Sequence, residues 1–112
     1  MPTKELFSYK ESKQQYQKRK WTDVESSHIA RMDYSAKFNQ LYVQFKNQVR
    51  GQKPGSILVY VYWNVTLSDV KKLGFRYDEE EKKLVRTDNQ SVGERLNSVI
   101  KARKDYARLE YV

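Results

Sequence analysis

Two tyrosines set two residues apart, Tyr60 and Tyr62, stand in the uncharged run ILVYVYWNV (57–65), inside a chain that is elsewhere dense in lysine and arginine. Side chains alternate across a strand, so Leu58, Tyr60, Tyr62 and Asn64 share one face, and Ile57, Val59, Val61, Trp63 and Val65 share the other. Aromatic rings beside cations suit single-stranded nucleic acid, because every base offers a stacking face and every nucleotide a phosphate. In LYVQFKN (41–47) the same alternation separates Leu41, Val43 and Phe45 from Tyr42, Gln44 and Lys46. With a helix over an aliphatic face of Val43, Val59 and Val61, the opposite face joins Tyr42, Gln44, Lys46, Tyr60 and Tyr62. Arg50 and Lys53, in the loop between these strands, are then placed to track a phosphate backbone, and Lys18, Arg19 and Lys20 add charge from the N-terminal segment. The competing reading makes the tyrosines a second core layer, with rings buried and hydroxyls at the rim.

No arrangement of residues reads as catalytic. The single histidine, His28, has no second histidine and no cysteine with which to complete a zinc site, and reads as structural or surface. Asp78, Glu79, Glu80 and Glu81 are consecutive, so their carboxylates diverge in a turn and read as a solvated tip rather than a cation site. Gly51-Gln52-Lys53-Pro54-Gly55 is basic and glycine-bearing but lacks the phosphate-loop order, and Pro54 removes a backbone donor. The expectation is a non-enzymatic binding protein with neither metal nor cofactor.

Composition narrows the partner. The chain has 112 residues, enough for one core; 38% are hydrophobic, 32% are charged, and the formal charge is +8. Such a balance attracts polyanions, with nucleic acid or a ribonucleoprotein first among them. The lack of cysteine excludes disulfides, no apolar run has the length of a membrane span, and MPTKELFSYKES has no signal-peptide apolar region. These features lead to the expectation of a cytoplasmic protein with no membrane partner; they leave the oligomeric state open.

The elements that must position these residues follow from local signals. Residues 1–22 read as a basic arm, helical or ordered on a partner. Residues 23–112 read as a single α+β domain, with strands at 26–34, 41–47 and 57–65. Thr66, with Asp69 three residues on, predicts a capped helix that Gly74 ends. Residues 74–90 read as an inserted hairpin. Ser91 with Glu94 predicts a second capped helix, whose stripe of Val92, Leu96, Val99 and Ile100 covers one sheet face. The tail from Ala102 either extends that helix or returns as an edge strand. The fold expected is α+β: a small antiparallel three-stranded meander packed on a short helix and a C-terminal amphipathic helix, with an additional small hairpin. On this reading the region from Val24 to about Lys101 folds without the arm.

The ordered fragments SSHI, MDY, LYVQF with Asn47, YVYWNV and SVGERLNSVIK resemble the KTSC domain, named for the C-terminus of some lysyl-tRNA synthetases. Ser26 and Ser27 match its serine pair, Tyr60 and Tyr62 its central tyrosines, and Ser91 to Gly93 with Asn97 and Ile100 its closing helix. Thr66 stands where that family has proline, the 48–56 loop is long, 74–90 is extra, and the first twenty residues have no counterpart. The resemblance implies a three-stranded meander packed on helices, an RNA-binding role and no catalysis. The combined expectation is a small basic protein that binds RNA or a ribonucleoprotein through a Tyr/Lys sheet face and a basic arm. The alternative is a phage-type regulator or inhibitor that docks on a host nucleic-acid-processing enzyme or defence complex.

Overall fold

Strand β1 (Glu5–Glu11) is the first element and is followed by a short helix α1 (Lys13–Lys18), started by Ser12, whose hydroxyl accepts from the Gln15 N–H. The two-residue β2 (Thr22–Asp23), β3 (Ile29–Ser35), β4 (Gln40–Phe45) and β5 (Ile57–Tyr62) come next. Helix α2 (Leu67–Lys72), the hairpin β6 (Phe75–Asp78) and β7 (Lys83–Arg86), and α3 (Val92–Arg95) complete the middle of the chain. Helix α3 runs on as a π-helical stretch, Leu96–Lys101, and β8 (Tyr106–Tyr111) closes the fold. The computed structural model describes residues 4–46, 55–88 and 92–112; the expectations placed on Asn47, Arg50, Lys53 and the Ser91 cap lie outside the described residues.

The expected three-stranded meander is incorrect. Among the described residues the strands form a six-stranded mixed sheet in the order β1-β8-β5-β4-β3-β2 and a separate two-stranded sheet, β6-β7, with three short helices. Strands β3, β4 and β5 form the antiparallel meander, but β8 adds to β5 antiparallel and β1 adds to β8 in parallel. The tail is therefore an interior strand rather than a helix extension or an edge. Residues 5–23, all but the last of them read as an arm, supply both edges of the sheet and the helix between them. Their sequence hides this because an edge strand needs only one paired side, and ELFSYKE stays largely exposed.

Local signals explain the connecting elements. Thr66 and Asp69 cap α2 reciprocally, with the Asp69 N–H donating to the Thr66 hydroxyl at 3.2 Å and the Thr66 N–H to the Asp69 carboxylate at 3.0 Å. Gly74 then turns the chain at φ 90°, a conformation that strains any residue with a Cβ, and a Cβ there would lie 2.6 Å from Arg95 Nη1.

Register decides what each sheet face carries. Leu41 opposes Tyr62, Tyr42 opposes Val61, and Val43 opposes Tyr60. Val43 thus shares a face with Tyr60 and Tyr62, and Tyr42 shares one with Val59 and Val61, the reverse of the expected grouping. On the first face Met32, Tyr34, Leu41, Val43 and Tyr62 pack with Val70, Leu73, Phe75, Leu84, Val92, Leu96 and Ile100 from α2, the hairpin and α3. On the second, Tyr42, Val59, Val61, Ala107, Leu109 and Tyr111 pack with Tyr9, Tyr16 and Trp21 from the N-terminal segment. No helix among the described residues is long and apolar enough to cross a membrane.

Removing residues 1–20 takes away β1 and α1 and uncovers Val59, Val61, Leu109 and Tyr111, all fully buried. Each such side chain contributes about 1.5–3 kcal/mol of burial, so the truncated chain is expected to lose its cooperative thermal transition, followed by circular dichroism. A sharp melt in the truncated chain would show that this face does not need its cover. Val61→Asp in the full chain places an unpaired carboxylate in the same layer and should likewise prevent folding.

Candidate nucleic-acid interface

The junction from α1 to β2 carries Lys18, Arg19 and Lys20, and the three side chains diverge. Arg19 caps the C-terminus of α1 and turns inward onto the second sheet face. Its Nε donates to the Tyr111 hydroxyl at 2.6 Å, and its Nη2 donates to Glu11 Oε1 at 3.3 Å. The guanidinium lies 3.8 Å above the Tyr42 ring, and Nη1 is 3.8 Å from Asp33 Oδ2. Arg19 is thus an internal cation, engaged on every side. Lys18 and Lys20 remain exposed.

These two lysines open onto a cleft of about 590 Å³ whose other walls come from distant segments. Lys37 enters from the β3–β4 turn, and Lys82 and Glu79 from the β6–β7 turn. Tyr77 of β6 forms an aromatic wall, held edge-on to Tyr34 at 5.6 Å. Asp33 and Tyr34 also line the cleft. It gathers five cationic side chains against two carboxylates, beside one partly exposed ring. The arrangement can hold consecutive phosphates and offer a ring to a planar group between them.

Asp33 is the buried carboxylate of this region, 7% exposed. Burial pushes its carboxyl up from 3.8 to about 6, against the opposing pull of the Tyr34 N–H, the Arg19 charge and the Lys20 N–H. The 3.8 Å approach of Arg19 is too long for a hydrogen bond. Part of the guanidinium's capacity is taken by Tyr111 and Glu11.

The residues expected to form one face are dispersed. Tyr42 is buried beneath Arg19, and Tyr62 is 2% exposed within the first core layer, leaving neither ring face free for a ligand. Tyr60 is half-buried, 5.4 Å from the stacked Tyr106 ring and 5.3 Å from Phe45. Lys46 is exposed, and its N–H donates to the His28 carbonyl. Lys37, Tyr77, Lys82 and Asp33 were missed by the sequence reading. Their positions are 33, 37, 77 and 82, a spacing that carries no periodic signal. Only the pairing of β3 with β4 and the placement of the hairpin against β2 and β3 bring them together. No protein-family model, curated protein or solved structure matches the chain.

Because the folded-state pKa of Asp33 lies above its unfolded value, its contribution to stability is fully present below about pH 3.8 and is lost as pH rises through about 6. Relative to Asp33→Asn, the wild-type protein should lose up to about 3 kcal/mol between those limits, read from urea midpoints at a series of pH values. A pH-independent difference between the two proteins would show that Asp33 keeps an ordinary carboxyl. Arg19→Ala strands Glu11 and Asp33 and should destabilise by about 3–5 kcal/mol. Arg19→Lys should recover only part of this, because an ammonium cannot span the same partners in one plane.

Proposed function

We propose that this chain is a non-enzymatic, cytoplasmic RNA-binding protein that holds single-stranded RNA, free or within a ribonucleoprotein, with its phosphates in the basic cleft. The observation that carries the reading is convergence: Lys18 and Lys20, Lys37, and Lys82 come from three separate segments and line one cavity. Folding them together costs mutual repulsion, and a polyanion relieves it. The net charge of +8 supports the same partner class, as does the expectation attached to the KTSC resemblance. Tyr77 supplies the stacking surface, a role the sequence assigned to Tyr60 and Tyr62. The open shape of the cleft fits a flexible strand better than a rigid duplex.

The test is equilibrium titration with a labelled oligoribonucleotide at several salt concentrations. Replacing Lys18, Lys20, Lys37 and Lys82 with alanine should weaken binding and flatten the slope of log affinity against log salt by roughly 0.7 for each phosphate that is no longer neutralised. A control that removes positive charge away from the cleft, Lys101→Ala with Arg103→Ala, should change the slope far less. Tyr77→Ala should weaken binding by about 1–3 kcal/mol while leaving the salt slope in place, because stacking releases no counterion. Equal losses per charge in the cleft and control variants would reduce the attraction to net charge alone and sink the cleft as a site.

A further inference from the structure

The outer edge of β1 pairs with no strand among the described residues, and it carries two of the large apolar side chains left exposed, Leu6 at 42% and Phe7 at 46%. Glu5 pairs with Tyr106 and Ser8 with Arg108, so Leu6 and Phe7 together oppose the single residue Ala107, and the strand is bulged there. One result is that Glu5 and Lys10 lie on the same sheet face, paired with Tyr106 and Glu110. In a regular strand two residues five apart would lie on opposite faces.

We propose that β1 is a homodimer interface, in which two copies pair edge to edge and antiparallel to make a continuous twelve-stranded sheet. A two-fold axis perpendicular to the sheet at Ser8 sets Ser8 against the partner's Ser8 and Tyr9 against the bulged Leu6 and Phe7 of the partner subunit. Lys10 then opposes the partner's Glu5. On the other face Glu11, paired with Tyr111, meets Lys4, the residue before β1. Every charged position on the strand meets its opposite, twice over by symmetry. A register slip that brings Glu5 against the partner's Glu11 sets like charges together and is disfavoured. Charges and bulges on an edge strand usually block edge pairing; under this axis their signs and spacing are self-complementary. The exposed Leu6 and Phe7 become covered, and the free N–H and C=O groups of β1 find partners.

This proposal is independent of what the cleft binds. Sedimentation velocity over a range of concentrations should show a monomer–dimer equilibrium. Glu5→Lys and Lys10→Glu should each weaken the dimer about tenfold, since each reversal acts twice across the axis, and the double variant should restore it. Thermal melts establish that each variant is folded. The chain has no cysteine, so Ser8→Cys introduces a single thiol on the axis, and oxidation should give a disulfide-linked dimer faster than with Ser68→Cys on exposed α2. A wild-type monomer at every concentration, with Ser8→Cys crosslinking no faster than Ser68→Cys, overturns the proposal and leaves the edge to a strand from another protein. A dimer indifferent to charge reversal overturns it as well.

Discussion

The fold depends on one guanidinium. Arg19, at the end of α1, ties that helix to β1 through Glu11, to β8 through Tyr111, to β4 by lying on Tyr42, and to β3 through Asp33. A charge in such a place is costly unless its surroundings complete it, and here two carboxylates, a phenol and a ring do so within a planar geometry that lysine lacks. The N-terminal segment is therefore not an accessory laid on a finished domain. If it lifted away, Asp33 would lose its counter-charge and the aliphatic layer of Val59, Val61 and Leu109 would meet water. The same clamp sets the chain path between α1 and β2, which leaves Lys18 and Lys20 facing out on either side of an inward Arg19.

Elements governed by adjacent residues were legible in the sequence. The Thr66–Asp69 cap, the stop at Gly74 and the hairpin that follows it stand as read, whereas the stripe of Val92, Leu96 and Ile100 covers a sheet face that carries Val43 and Tyr62 rather than Val59 and Val61. Pairing between distant segments was not legible. Strands 41–47 and 57–65 both carry apolar residues on both faces, so alternation divides each strand without saying which half of one joins which half of the other. The nine residues of sequence between them, 48–56, are too many for a two-residue turn motif to fix their register. The assignment that grouped Tyr42 with Tyr60 was off by one residue, and in a sheet that exchanges the faces completely. A seven-residue, largely exposed edge strand such as β1 gives no burial pattern from which its place could be inferred. Strand β8 did carry a signal, the alternation of Ala107, Leu109 and Tyr111, but it was short and followed directly on a helix.

The candidate site shows the same limit in another form. Of the three basic residues read as a charged arm, Arg19 is used internally, whereas Lys18 and Lys20 gain neighbours, Lys37 and Lys82, to which the sequence reading gave no role. Charge in a sequence says that a polyanion is attracted, not where. The location comes from topology, since the β3–β4 turn and the β6–β7 turn approach the end of α1 only when β2 is in place at the sheet edge. The Thr22 hydroxyl donates to the Leu84 carbonyl at 2.7 Å and ties that edge to the hairpin. The register places Tyr42 and Tyr62 in the core, the outcome of the competing reading of the tyrosines as a second core layer.

One short segment thus supplies strands at both sheet edges, roofs a face and lines the cleft. The four lysines come together on one cleft only in the folded chain, where salt screens their like charges. On the proposed function, a polyanion bound there would stabilise the fold by mass action, as the logarithm of its concentration over its dissociation constant. Asp33 works in the same direction from below. Ionised, it partly offsets the lysines; when an anion fills the cleft, the carboxylate faces a like charge and tends to hold its proton, which its burial already favours. The buried acid and the exposed cations therefore line one cleft, and Arg19, which lines it too and lies 3.8 Å from Asp33, links it to the sheet beneath.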